Sequence, residues 1–194
     1  MRTSRSCGPP PCTTTSARCG IRSASSRTVP GRRAAPNYHD GKSPRESARD
    51  IIAHVQDGLE IAKANSLPNE ISDFILTHHG TSFTASFYNQ YLNEGGDPND
   101  VEDFFYKGRK PRTKEEVILM ICDSVEAASR TLKEYTPASF DKFVEDMVAA
   151  KEKSGQFEHA EITIREMNIV KATLKTYLQQ LYHERIEYTQ RKEE

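Results

Sequence analysis

Signals that begin α-helices recur along most of this chain. Three segments place Ser or Thr three residues before Glu, namely Ser43–Glu46, Thr113–Glu116 and Thr163–Glu166. This is the pattern of a capping box, in which each side chain binds the other residue's backbone N–H. Apolar residues follow each signal at helical spacing, and no segment shows a convincing strand pattern. The sequence therefore predicts an all-α helical bundle.

Turn residues divide this bundle into separate helices. Pro68 starts a second helix that Gly80 stops, and the first two helices are expected to form an αα-hairpin. A further helix start at Thr136-Pro137 precedes a stop at Gly155. The first three expected helices span about 44–65, from Pro68 to before Gly80, and 83–93. A long loop over 94–112 follows. The last three helices begin after Thr113, Thr136 and Thr163.

Residues 1–36 differ in composition from the rest. They hold seven of the 27 basic residues, all of them Arg, and none of the 28 acidic residues. Rich in Ser, Thr and Pro, they cannot bury a core, so the segment is predicted to be disordered and the domain to span 37–194. Three kinds of segment share this composition. They are a transit peptide, a basic tail that binds nucleic acid or an anionic membrane, and an out-of-frame translation of GC-rich DNA. We favour the last, a non-native segment.

The composition of residues 37–194 excludes several classes of protein. They contain 20 basic and 28 acidic side chains, and an acidic surface repels the backbone of a nucleic acid polymer. It does not forbid a small phosphate ester bound through metal ions. No run approaches the roughly 18 apolar residues of a membrane-spanning helix. Three of the four Cys lie before residue 37, which favours a reducing, cytoplasmic compartment over a disulfide framework.

Three His residues interrupt the apolar pattern near the predicted hairpin. His54 lies twelve positions before Ser66 and His78 lies twelve after it. In an antiparallel hairpin, equal offsets bring both imidazoles to one height, where they could share a metal ion. His79 diverges from His78 by about 100° on a helix, so one of the pair is expected to bind the ion directly and the other to bind from the helix end or contact substrate. An ordinary partly buried His and a surface His pair are the alternatives.

Asp123 interrupts the most apolar run of the chain, Val117–Val125. An unpaired carboxylate is costly to bury there, so Asp123 needs a partner such as a metal ion or an Arg. Arg130, seven residues later on the same face, could supply a simple salt bridge. The nearby His residues favour use of Asp123 in a metal or catalytic site.

Taken together, four segments resemble one family. They are SPRESARDIIAHV from Ser43, LPNEISDFILTHHGT from Leu67, KPRTKEEVILMICDSVEAASR from Lys110, and the Gln156/Thr163 region. These segments are similar to the cytoplasmic HD domain of the PgpH-type seven-transmembrane HD phosphohydrolases, bacterial phosphodiesterases that act on cyclic di-AMP. The resemblance covers essentially residues 37–194. It implies an HD-type helical bundle, hydrolysis of cyclic di-AMP to linear pApA, and membrane attachment only through a full-length parent.

The resemblance also implies a site with two divalent metal ions, iron or manganese, which together can stabilise the attacking and leaving oxygens of a phosphodiester. His54, His78, His79 and Asp123 match metal ligands of the family. Asp123 and His79 are further expected to act in catalysis. Arg130 matches a motif position and is assigned to substrate binding.

One part of the family pattern is not found. The family's first His and its adjacent His-Asp, whose Asp bridges the metals, are expected before residue 37, where the chain has neither His nor Asp. His39-Asp40 mimics the pair, but His54 lies about 16 Å along its helix beyond Ser43, whereas Asp40 is only three residues, about 10 Å, before that start. We interpret it as a chance match.

These missing ligands lower the expected activity. We expect one bound ion or none, little turnover, and self-association through apolar faces that the missing helices would cover. A non-catalytic helical remnant and an HD phosphohydrolase for another nucleotide are the alternative functions.

Overall fold

The computed structural model describes residues 41–183, and it confirms the predicted all-α fold. Residues 1–40 and 184–194 lie outside it, and with them the N-terminal segment and His39-Asp40. The described helices are α1 (Pro44–Ala64), α2 (Asn69–Thr77), α3 (Ala85–Asn93), α4 (Lys114–Ser129), α5 (Pro137–Lys153) and α6 (Ile164–His183), with a 3-10 helix (Pro98–Phe104) between α3 and α4. In this part of the chain, no helix combines the length and the apolar character needed to cross a membrane.

The predicted capping boxes begin the helices where the sequence places them. At α1, the Ser43 hydroxyl accepts the Glu46 N–H at 3.2 Å, and the Glu46 carboxylate accepts the Ser43 N–H at 3.0 Å. The same reciprocal pair forms at Thr113 and Glu116 before α4. Each box satisfies backbone N–H groups that have no partner within the helix, which explains why these starts can be read from the sequence.

The described residues divide into two compact units, one built from 41–76 with 83–107, the other from 77–82 with 108–183. In the first unit, α1 packs mainly against α3 and the 3-10 helix. Arg45 on α1 donates to Asp103 at 2.8 Å and to Asp100 at 3.1 Å. The hairpin of α1 and α2 predicted from the sequence is therefore not the main packing of this unit.

The 3-10 helix is a correction to the loop predicted over 94–112. Asp97 caps it by accepting the Asn99 N–H at 2.8 Å, and Pro98 occupies its first position. Gly and Pro in this segment favour a loop when only local signals are considered. The ion pairs with Arg45, which lies 55 positions before Asp100, hold the segment in its tighter form.

The second unit has its own apolar core between α4, α5 and α6. Its buried residues are Val117, Ile121, Val125, Phe140, Val144, Val148, Leu174, Leu178 and Tyr182. The apolar run of α4 predicted from the sequence supplies three of these positions. This packing fixes the helix that carries Asp123.

Glu116 does more than cap α4. Its side chain, 6% exposed, accepts the N–H groups of Arg112 at 2.6 Å and Thr113 at 3.2 Å, and it pairs with the Arg109 guanidinium at 3.3 Å. Glu116→Ala removes a buried acceptor that these three donor groups share, so we expect the free energy of unfolding to fall by about 2–4 kcal/mol. Urea denaturation measures this change.

The matched control is Glu115→Ala, an exposed residue in the same turn of α4. It is expected to change the free energy of unfolding by no more than about 0.5 kcal/mol. Equal losses in the two variants would show that the network around Glu116 contributes nothing of its own.

Candidate metal centre

His78 and His79 lie directly after the last residue of α2, in a bend and not on the helix. Their ring centroids are 4.2 Å apart with an interplanar angle of 36°, and one ring nitrogen of each lies within 4.8 Å of the other. The expectation that these rings diverge by about 100° is therefore wrong, because it assumed helix geometry at both positions. The bend instead leaves the two imidazoles side by side.

A buried side chain from a distant part of the chain holds this bend. Gly80 ends it with a left-handed φ of +54°. Gln156, only 2% exposed, accepts the Thr81 N–H at 3.1 Å with Oε1 and donates from Nε2 to Thr81 Oγ1 at 3.1 Å. The segment that carries His78 and His79 is thus anchored by a residue 75 positions after Thr81.

Asp123 on α4 lies against His79. Its Oδ2 atom is 3.5 Å from His79 Nδ1, and both side chains are 16% exposed. Arg130, the alternative partner for Asp123, stands at the C-terminal end of α4 and pairs with Glu126 one turn earlier. The structure therefore brings together His78, His79 and Asp123 within the second unit, and leaves the Arg130 guanidinium at the exposed end of the helix.

The spacing of His79 and Asp123 suits two ligands of one ion. Ligand atoms about 2.1 Å from an ion, at the tetrahedral angle, lie about 3.4 Å apart. The observed separation is 3.5 Å. Imidazole nitrogen together with carboxylate oxygen is a donor set accepted by zinc, iron and manganese. These residues consequently fit a divalent metal ion.

His54 lies in the first unit, on α1, and is 9% exposed. Its ring meets that of Tyr106 edge to face, with centroids 6.1 Å apart, and its Nδ1 contacts the backbone carbonyl of Ile51. A carbonyl oxygen can only accept, so Nδ1 is the nitrogen that donates in this contact, and Nε2 is the nitrogen that could bind a metal ion. Metal-binding His residues are commonly oriented by such a bond from the other ring nitrogen. That His54 and His78 share an ion remains a prediction.

Two titratable side chains of the second unit respond to Asp123. Burial raises the pKa of the Cys122 thiol, and the Asp123 charge raises it further, so the thiol stays protonated at neutral pH. Burial lowers the pKa of Lys151, while the Asp123 charge opposes that change. Lys151, on α5, donates from Nζ to Ser82 Oγ at 2.7 Å. The neighbourhood of Asp123 therefore contains a cation as well as imidazoles.

Local signals do not identify Ser82, Lys151 or Gln156 as part of this neighbourhood. Lys151 resembles any basic residue in the last turn of a helix, where the helix dipole favours it. Gln156 follows the helix stop at Gly155 and reads as a loop residue. Only the packing of α5 beside the segment 77–82 gives these residues their contacts.

Comparison with known proteins identifies the family of this chain. The family model described as "HD domain" matches residues 33–128. The cyclic-di-AMP phosphodiesterase PgpH of Listeria monocytogenes is 40% identical over 152 residues, which is 78% of this chain and 21% of that protein. The chain thus spans about a fifth of the length of this relative.

Solved structures extend the likeness to three dimensions. The crystal structure of the L. monocytogenes PgpH HD domain matches with a TM-score of 0.73 and 34% identity, over 86% of this chain and 76% of that one. The same domain in complex with cyclic-di-AMP matches with a TM-score of 0.71 and 37% identity, over 80% and 70% of the two chains. On this agreement of sequence and fold, the chain belongs to the HD-domain family.

Proposed function

We propose that this HD domain is a metal-dependent phosphodiesterase that hydrolyses cyclic di-AMP to linear pApA. The observation that carries the proposal is the pairing of His79 with Asp123 at 3.5 Å beside His78, in a domain of a metal-dependent family. Similarity to a cyclic-di-AMP phosphodiesterase, and to an HD domain in complex with cyclic-di-AMP, supports the choice of substrate.

The proposed ligands are His54, His78, His79 and Asp123, with iron or manganese as the proposed metal. When bound, a divalent ion stabilises charge on phosphoryl oxygens and lowers the pKa of a water molecule. The Ile51 carbonyl keeps the proton of His54 on Nδ1, so Nε2 is the nitrogen that can coordinate. Asp123 supplies the negative charge that balances a cation beside the two imidazoles. Low exposure of His79 and Asp123 strengthens these interactions, because little water screens them.

His79 and Asp123 are also proposed to act on the reacting phosphate. Their side chains adjoin, so a phosphate brought to one of them is close to both. Arg130 is proposed to bind substrate, since its guanidinium is partly exposed and pairs with Glu126 in a surface contact that a phosphate could replace.

Turnover measured with and without metal tests this proposal. We expect the chain to convert cyclic di-AMP to pApA only when Mn²⁺ or Fe²⁺ is present, and EDTA to abolish the conversion. Because residues 1–36 contain neither His nor Asp for the family's bridging position, we expect slow turnover and no more than one ion per chain by elemental analysis. Two tightly held ions with rapid turnover would contradict that expectation.

A substrate panel separates the alternatives. Faster hydrolysis of another cyclic dinucleotide or of a nucleoside monophosphate would assign the domain to a different HD phosphohydrolase. Binding of cyclic di-AMP that is indifferent to EDTA, without any product, would show a non-catalytic binding module. Neither binding nor product would mark an inactive remnant.

A further inference from the structure

Lys151 carries a half-buried ammonium group next to the segment that holds His78 and His79. Its Nζ donates to Ser82 Oγ at 2.7 Å. The Ser82 N–H donates to the carbonyl oxygen of His79 at 3.0 Å. A short chain of two hydrogen bonds therefore connects this ammonium to the backbone of a proposed metal ligand.

This ammonium contacts a hydroxyl and not a carboxylate. Among the described residues, Lys142 and Lys171 pair with carboxylates at 2.5 Å and 2.7 Å, whereas Lys151 forms no such ion pair and instead contacts a neutral hydroxyl. Withdrawing a cation from water without a counter-charge is costly. The Asp123 charge partly opposes the lowering of the Lys151 pKa by burial.

A phosphate group at the site would supply a negative charge in direct contact with the ammonium. An ammonium is a compact point charge that binds phosphate oxygens, and its flexible four-carbon stem can turn from a hydroxyl to an incoming anion. The Ser82 hydroxyl keeps Nζ beside the His79 backbone until then. Lys153, two residues later in the same last turn of α5, is exposed and has no comparable position.

We propose that Lys151 is a substrate-binding residue that contacts a non-bridging phosphate oxygen of the substrate, with Ser82 as the residue that positions it. This proposal rests on the proposed function, since it names a further residue of the same site. It assigns to α5 a direct part in recognising the phosphodiester, in addition to the His and Asp residues of the family pattern.

Binding measurements on Lys151→Gln test this assignment without requiring turnover. The probes are a phosphorothioate analogue of cyclic di-AMP and inorganic phosphate, each titrated by calorimetry into the Mn²⁺-loaded full chain. We expect Lys151→Gln to weaken binding of both probes by about 10- to 100-fold, the loss typical of one hydrogen bond to a charged group. Lys151→Arg, which keeps the charge, is expected to retain more affinity than Lys151→Gln, and Lys153→Gln is the matched control with unchanged affinity.

Two further readouts separate phosphate binding from a structural role. Metal content is expected to be the same in Lys151→Gln and the unsubstituted chain, and the midpoint of thermal unfolding is expected to be the same or higher, because a half-buried charge has been removed. Four results would each overturn the proposal. Phosphate affinity could be unchanged in Lys151→Gln, or Lys153→Gln could lose as much affinity. The loss of affinity could follow a loss of metal or of stability, or the unsubstituted chain could bind no phosphate. Phosphate binding that depends on Lys151, without hydrolysis of cyclic di-AMP, would retain Lys151 and reject the proposed function. Hydrolysis of cyclic di-AMP together with a phosphate affinity that does not depend on Lys151 would retain the proposed function and reject the role of Lys151.

Discussion

Gly80→Ala is expected to lower the free energy of unfolding by about 2–4 kcal/mol. Gly80 has a φ of +54°, a conformation that costs a residue with Cβ about 1–2 kcal/mol. A Cβ at this position would lie 2.8 Å from Met120 Cε and closer still to Gln156 Oε1. Both of those side chains are fully buried, so neither can swing aside freely, and moving Gln156 breaks its bonds to Thr81. Denaturation in urea measures the loss.

Gly95→Ala is the matched control for this substitution. Gly95 also has a positive φ, +88°, but a Cβ there would meet nothing within 4 Å. It is expected to show only the backbone penalty, about 1–2 kcal/mol, and to leave metal content unchanged. Gly80→Ala should in addition reduce metal content, because the displaced bend carries His78 and His79. If both variants lose the same stability and retain the same metal, the anchoring role of Gln156 is wrong.

Asp123→Asn is expected to weaken metal binding and lower turnover by at least about 100-fold. The substitution keeps the size of the side chain and removes its charge, so it deprives a bound cation of its carboxylate ligand. Stability provides the second measurement. If Asp123 is a metal ligand, the metal-free variant should unfold at the same urea concentration as the metal-free parent, or higher, because a poorly exposed carboxylate has been replaced by a neutral group.

If Asp123 instead forms only a stabilising ion pair with His79, we expect the opposite effects on stability and metal binding. In that case the metal-free variant would unfold more easily and the metal content of the protein would not change. Asp146→Asn on α5 is the control, since Asp146 is exposed and pairs with Lys142 on the surface. It should change neither metal affinity nor turnover, and stability by less than about 1 kcal/mol.

Local signals predicted the helices well because capping is a short-range interaction. The hydroxyl of Thr113 meets the backbone of Glu116 three residues later, and this contact needs nothing from the rest of the chain. The same reasoning failed at His78 and His79. There, the end of α2 at Thr77 decides the ring geometry, and the anchor that follows it is the distant Gln156.

The amino-acid sequence by itself determined the helical class, the positions where helices begin, and the residue types available to a metal site. These depend on backbone hydrogen bonds and apolar spacing within a few residues. The tertiary structure alone decided that Asp123 lies against His79 and not against Arg130, and that Lys151 reaches Ser82. Such contacts join residues far apart in the chain, and they form only because burial of the helix faces in one core brings those residues together.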